Sequence, residues 1–168
     1  VVGPRYISED PGTLTGYHYN WGIPGNRWQF ARPLAVVLPE STEQVQGIVK
    51  VCNRYNVQFK AHSTGYAPVA MAEQDGVVII DLRRMNRIID IDEKNMLAIV
   101  EPYAVAGQIQ AEAMKRGLDT QIVSAGPTHS PLASCTSAWG IGTKGLTQSF
   151  NERNLFGVEW VLPSGEVV

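Results

Sequence analysis

Cysteine, charge and long apolar runs are all scarce in this chain, and each scarcity removes a class of protein. Two cysteines occur in 168 residues, Cys52 and Cys135, far apart and outside any Cys-x-x-Cys spacing. They predict neither a disulfide framework nor a thiolate metal site, and both read as free structural thiols that behave as small hydrophobes. The three histidines, His18, His62 and His129, show no ligand spacing with carboxylates or cysteines, so a zinc or iron centre is not expected. Charged residues make up 18% of the chain and the net charge is −2, with no basic patch to meet a nucleic-acid backbone. No segment approaches the roughly 18 consecutive apolar residues of a membrane helix, and no signal-peptide pattern precedes the first strand. The chain starts at Val1 rather than Met, which leaves a removed leader open. Composition fixes no compartment; a cytoplasmic one is the working expectation. There is no Ser-His-Asp order, no paired-carboxylate signature, no internal repeat and no linker.

What the chain does have is 44% hydrophobic residues, enough to bury one sizeable core as a single domain or two tightly joined small lobes. It is too short to carry a further substrate domain as well. Residues 1–31 are rich in Gly, Pro and aromatics without a period of two or 3.6, and read as an irregular arm that wraps the core. Ala35 to Leu38 is a short apolar strand ending at Pro39. Ser41-x-x-Gln44 then resembles a capping box and opens a helix to about Tyr55, with Val45, Ile48, Val49 and Cys52 on one face. Val57 to Lys60 is a second strand, followed by the loop AHSTGYAP, Ala61 to Pro68. Val77 to Ile80 is a third, apolar at every position, as expected when both faces are covered. Arg87 to Asp92 and Leu97 to Val100 pair across the turn Glu93-Lys94-Asn95, and Ala104 to Arg116 is a helix closed by Gly117 in the left-handed conformation. Ser124 to Gly145 is mostly loop, with one short helix near Leu132 to Ser137. Phe156 to Leu162 is a strand, and Pro163-Ser164-Gly165-Glu166 turns the chain back.

The βαβ start places the Ala61 to Pro68 loop at the carboxyl ends of parallel strands, where open sheets bind ligands. Small residues there let main-chain N–H groups approach an anion, with the Ser63 and Thr64 hydroxyls as further donors; a plain crossover turn has the same spacing. A second small-residue stretch, Gly126-Pro127 through Ser137, has the same character, and together the two suit one extended ligand of dinucleotide length. Gly140-Ile-Gly-Thr-Lys-Gly145 matches Gly-x-Gly-x-x-Gly formally, but no buried strand precedes it and no helix follows, so the fingerprint reading is set aside. His62 could contact a ligand in the first loop or sit there as a satisfied loop histidine. Arg83, Arg84 and Arg87 read as a solvated basic cluster, and Glu101, before Pro102, as a local strand closure.

Six segments in order, RPLAVVLPESTEQVQGIVKVCNRYNVQ, STG, GVVIIDLRRMNRIIDID, AIVEP, AGP and NLFGVEWVLPSGE, resemble the FAD-binding domain of the vanillyl-alcohol oxidase and para-cresol methylhydroxylase flavoproteins, a family that also includes D-lactate and glycolate dehydrogenases. They cover most of Arg32 to Glu166. The resemblance implies an α+β, two-lobed PCMH-type fold: a small parallel βαβ lobe, residues 32–100, and a larger mixed or antiparallel lobe, 101–168, incomplete at its C-terminal end. It implies FAD between the lobes, the pyrophosphate on Ala61, His62, Ser63, Thr64, Gly65 and Tyr66, and the rest of the cofactor along Gly126, Pro127, Ser130, Ser134, Cys135 and Ser137, with Pro39 and Pro102 beside it. Some members attach FAD through a histidine at the place of Thr64, which cannot form that bond, so noncovalent FAD is expected. The chain departs from glycine-rich members at Ala61, His62, Ser63, Tyr103, Ser134 and Ser149. The activity implied is oxidation of an alcohol, phenol or 2-hydroxy acid by hydride transfer to flavin. The substrate or cap domain that follows in the family is absent, so a partner chain or a further C-terminal domain is expected to supply the catalytic base. A flavin-free structural or interaction subunit descended from this fold is the competing reading.

Overall fold

The structure is a computed structural model that describes residues 1–17, 31–65, 72, 74–120, 126–137, 147 and 151–168. The chain forms two compact units, Val1–Arg84 with Glu159–Val168, and Met85–Val158. The division by contacts therefore falls at Arg84/Met85 rather than at the 100/101 boundary read from the sequence.

The first unit is a four-stranded sheet in the order β1-β2-β4-β3, formed by β1 (Ile7–Ser8), β2 (Ala35–Val37), β3 (Phe59–His62) and β4 (Val78–Asp81). β2, β3 and β4 run parallel, and β1 is antiparallel to β2. The helix α2 (Thr42–Arg54) crosses over between β2 and β3. Ser41 Oγ caps it by accepting from the Gln44 N–H. The reciprocal bond reaches one residue further back, Gln44 Oε1 accepting from the Glu40 N–H at 3.0 Å. At the other end Val57 N–H reaches Cys52 O and Asn56 N–H reaches Asn53 O, with Asn56 at φ +52°, a Schellman close without the usual glycine. Ile48, Val49 and Cys52 bury against Val37, Val78 and Ile80, and Val36, Val77 and Ile79 face the opposite layer with Leu14, Tyr17 and Ala72. The apolar run Val77 to Ile80 thus reflects burial on both faces. Cys52 is a buried free thiol, and its burial pushes the thiol pKa up.

Three sequence expectations need correction. The second strand starts two residues later than predicted, because Val57 is spent on the helix close. The arm is more than a wrapper: within 1–17 it supplies β1, the short helix α1 (Pro11–Thr15) and the buried Val2, Leu14 and Tyr17. These elements are too short to leave a period in the sequence. Phe156 to Leu162 is not a continuous strand. Trp160 and Val168 exchange two main-chain bonds and Val161 bridges Val167 across the predicted turn, while Phe156 is exposed. This closing hairpin packs on α2, where Gln46 donates to Gly165 O, Asn53 to Pro163 O and Thr42 to Glu159.

The second unit holds the antiparallel pair β5 (Ile88–Asp92) and β6 (Leu97–Val100) and the helices α3 (Ala106–Met114) and α4 (Pro131–Ser137). Asp92 organises the β5–β6 turn by accepting from the Asn95 N–H and amide, which holds its carboxyl below the ordinary range. Gly117, at φ +72°, closes α3 as predicted, with Leu118 N–H on Ala113 O. Among the described residues no helix is long and apolar enough to cross a membrane.

Candidate functional site

The carboxyl edge of the parallel sheet brings together the ends of β2, β3 and β4. Pro39 is fully buried two residues beyond β2. His62 ends β3 opposite Asp81, which ends β4, and the Leu82 N–H continues the ladder to His62 O at 2.9 Å. The chain then leaves β3 through Ser63, Thr64 and Gly65, with Gly65 at φ +70°. That conformation suits glycine, and the space demands it: a Cβ there would stand 2.7 Å from Nε2 and 2.8 Å from Cε1 of His62. The loop therefore folds back over the imidazole. Ala61 is exposed, Ser63, Thr64 and Gly65 are half-buried, and Tyr66 lies outside the described residues.

Beneath the loop is a polar cluster that sequence reasoning missed. Asp81 is completely buried, and its Oδ2 accepts from Tyr17 OH at 2.5 Å and from Arg83 Nε and Nη2 at 2.9 and 2.7 Å; Oδ1 accepts from the Arg83 N–H. Arg83 also donates to Tyr17 OH at 2.8 Å. His62 packs edge-on against the Tyr17 ring, 5.3 Å between centroids, and its Nδ1 is 3.9 Å from Asp81 Oδ2 without a hydrogen-bond partner among the described residues. Burial lowers the imidazole pKa; Asp81 opposes that effect and Arg83 adds to it. The imidazole is neutral at neutral pH. The sequence signal was an Asp at the last position of an apolar strand with Arg two residues on, which reads as an ordinary strand exit until Tyr17 is placed beside it.

The basic cluster is accordingly not simply solvated. Arg83 forks onto Asp81; Arg84 lies 3.5 Å over the Tyr6 ring, donates to Leu38 O and pairs with Glu40. In the second unit, Arg87 forks onto Glu101, whose carboxylate also accepts from the Arg87 N–H. Burial raises the Glu101 pKa, and these bonds more than offset it, leaving the net shift downward.

The other predicted residues belong to the second unit. Pro102 sits in the turn after β6. Gly126, at φ +108°, opens a turn in which Pro127 O and His129 O accept from the Gly107 and Ala106 N–H groups, so the first amides of α3 are already used. Gly107 is a close-approach glycine, since a Cβ there would lie 3.0 Å from Pro127 Cβ. Ser130 is buried, and its Oγ accepts from the Ala133 N–H at the start of α4, which carries Ser134, Cys135 and Ser137. The Gly140 to Gly145 motif and Ser149 lie outside the described residues. Among the described residues no group of three or more His, Cys, Asp or Glu could hold a metal ion.

Comparison with known proteins identifies the class. The FAD binding domain family profile matches residues 33–168, and the chain belongs to that family, as a PCMH-type domain related to the vanillyl-alcohol oxidase and para-cresol methylhydroxylase flavoproteins. It is 33% identical over 141 residues to the 4-cresol dehydrogenase (hydroxylating) flavoprotein subunit of Pseudomonas putida, covering 80% of this chain and 26% of that one. It is 30% identical over 145 residues to D-2-hydroxyglutarate dehydrogenase of Stutzerimonas stutzeri, covering 84% and 30%. Among solved structures, p-cresol methylhydroxylase with substrate bound superimposes with a TM-score of 0.74 at 28% identity, over 99% of this chain and 32% of that one. The 4-ethylphenol oxidase of Gulosibacter chungangensis gives 0.77 at 26%, over 99% and 32%. The chain thus spans about a quarter to a third of the length of these relatives.

Proposed function

We propose that this chain is the FAD-binding part of an oxidoreductase that takes a hydride from an alcohol, a phenol or a 2-hydroxy acid. The observation that carries the reading is the turn at Gly65: its positive φ lays a loop of small residues across the carboxyl edge of the parallel sheet, where open sheets bind ligands. The names of the relatives, a cresol and a hydroxyglutarate dehydrogenase, supply the substrate classes. Bound FAD would supply the two-electron acceptor, and the protein's share is to hold and enclose it. In this reading Ala61 to Tyr66 receive the diphosphate. Arg83 and Tyr17 offset the buried Asp81 charge, which would otherwise repel it. The family resemblance assigns Pro39, Pro102, Gly126, Pro127, Ser130, Ser134, Cys135 and Ser137 to the rest of the cofactor. Thr64 makes the attachment noncovalent. A further domain or a partner chain supplies the catalytic base and the substrate pocket.

An absorption spectrum of the purified intact protein tests the proposal. Flavin bands near one per chain, released into the supernatant by acid precipitation, are the expected result. Absence of flavin after incubation with FAD would establish the flavin-free subunit instead, and flavin remaining in the precipitate would overturn the noncovalent assignment.

A further inference from the structure

Resting on the cofactor reading above, we infer that His62 is a positioning residue of the diphosphate loop: its neutral imidazole is the spacer that holds Gly65, and with it Ser63 and Thr64, in the form that accepts the cofactor. His62 is 8% exposed, and its ring is held in a packed site. Tyr17 meets it edge-on, the Gly65 backbone closes over Nε2 and Cε1, and Nδ1 makes no hydrogen bond among the described residues. Asp81 Oδ2, 3.9 Å from Nδ1, is already taken by Tyr17 and by two N–H groups of Arg83.

Among the described residues, the ionisable groups that face the ring are Tyr17 after α1, Asp81 at the end of β4, and Arg83 in the turn that follows. A proton on His62 would place a second cation beside Arg83. To hydrogen-bond Asp81 the ring would have to close the 3.9 Å gap by about 1 Å, which disturbs its packing against Tyr17 and Gly65. Burial already disfavours the charged ring, so the loop form seen here belongs to the neutral imidazole. A ligand that requires this loop form must, by linkage, disfavour protonation of His62. A histidine contacting the diphosphate as a cation would show the reverse.

The test uses the intact protein and FAD itself. The imidazole pKa of His62, followed by NMR, is expected to fall when FAD binds, and the FAD dissociation constant, from flavin fluorescence, to rise as the pH drops from 7.5 to 5.5. His62→Gln, which keeps much of the reach of the ring but cannot charge, is expected to lose the pH dependence of FAD binding between pH 7.5 and 5.5, whatever its affinity at pH 7.5. His62→Ala, which removes the spacer, is expected to weaken binding at least tenfold while circular dichroism stays unchanged. If His62→Ala does not fold, the wild-type pKa shift and the Gln variant decide. A His62 pKa that rises on binding, or His62→Ala binding as tightly as wild type, overturns the inference alone. Wild-type protein that takes up no FAD at any pH overturns the cofactor reading and this inference together.

Discussion

Tyr17 donates to Asp81 across 64 residues of chain, and both groups are withdrawn from water. A hydrogen bond to a charged acceptor contributes about 1.5–3 kcal/mol, so Tyr17→Phe should lower the unfolding free energy by that order, read as a lower urea midpoint at unchanged secondary structure. Asp81→Ala should cost about 1–3 kcal/mol, because Tyr17 loses its buried acceptor, while Arg83 is half exposed and can turn to water. His62 adds a pH term of definite sign. Its folded pKa lies below the ordinary value of about 6.5, so the unfolded chain takes the proton first. Stability is therefore whole above the ordinary value and is lost as the pH falls toward the lowered one. Thermal unfolding from pH 7.5 to 5.5 should show a declining midpoint, less steep in His62→Gln. None of this cluster could be read from one sequence, since nothing in the spacing of Tyr17, His62 and Asp81 announces that an N-terminal ring reaches the end of β4.

The elements themselves were mostly legible, and where they were not the reason is local. α2 was plain because a capping box opens it and Ile48, Val49 and Cys52 recur on one face; β4 was plain because every position is buried. β1 was invisible because two residues cannot display an alternation, and the 156–162 strand was overread because apolar residues there lack a neighbouring strand along most of their length. The helix ends offer a matched pair of tests. Gly117→Ala puts a side chain at φ +72° and should cost about 1–2 kcal/mol. Asn56 already occupies the same backbone region at φ +52°, where Gly is the better residue, so Asn56→Gly should stabilise by a few tenths of a kcal/mol up to about 1. Chemical denaturation of the two variants beside wild type reads both.

Over the whole molecule, the family match runs through both units, from residue 33 to 168. The cofactor class was legible because six segments keep their order, whereas the contact boundary was not, because the hairpin of β5 and β6 carries no composition shift to mark which unit it joins. The first unit is completed by Glu159–Val168, whose Val161 packs against the core of α2, β2 and β4. Val161→Asp should therefore destabilise that unit by about 1–3 kcal/mol, seen as loss of protection from hydrogen exchange in α2. The same arrangement makes the second unit an insertion within the first. On the ribosome, strands β1 to β4 emerge long before the hairpin that finishes their domain, while Met85–Val158 is already out in full. The second unit is thus complete on the ribosome before the first can be sealed, and a nascent chain halted short of Glu159 would present an open first unit to chaperones.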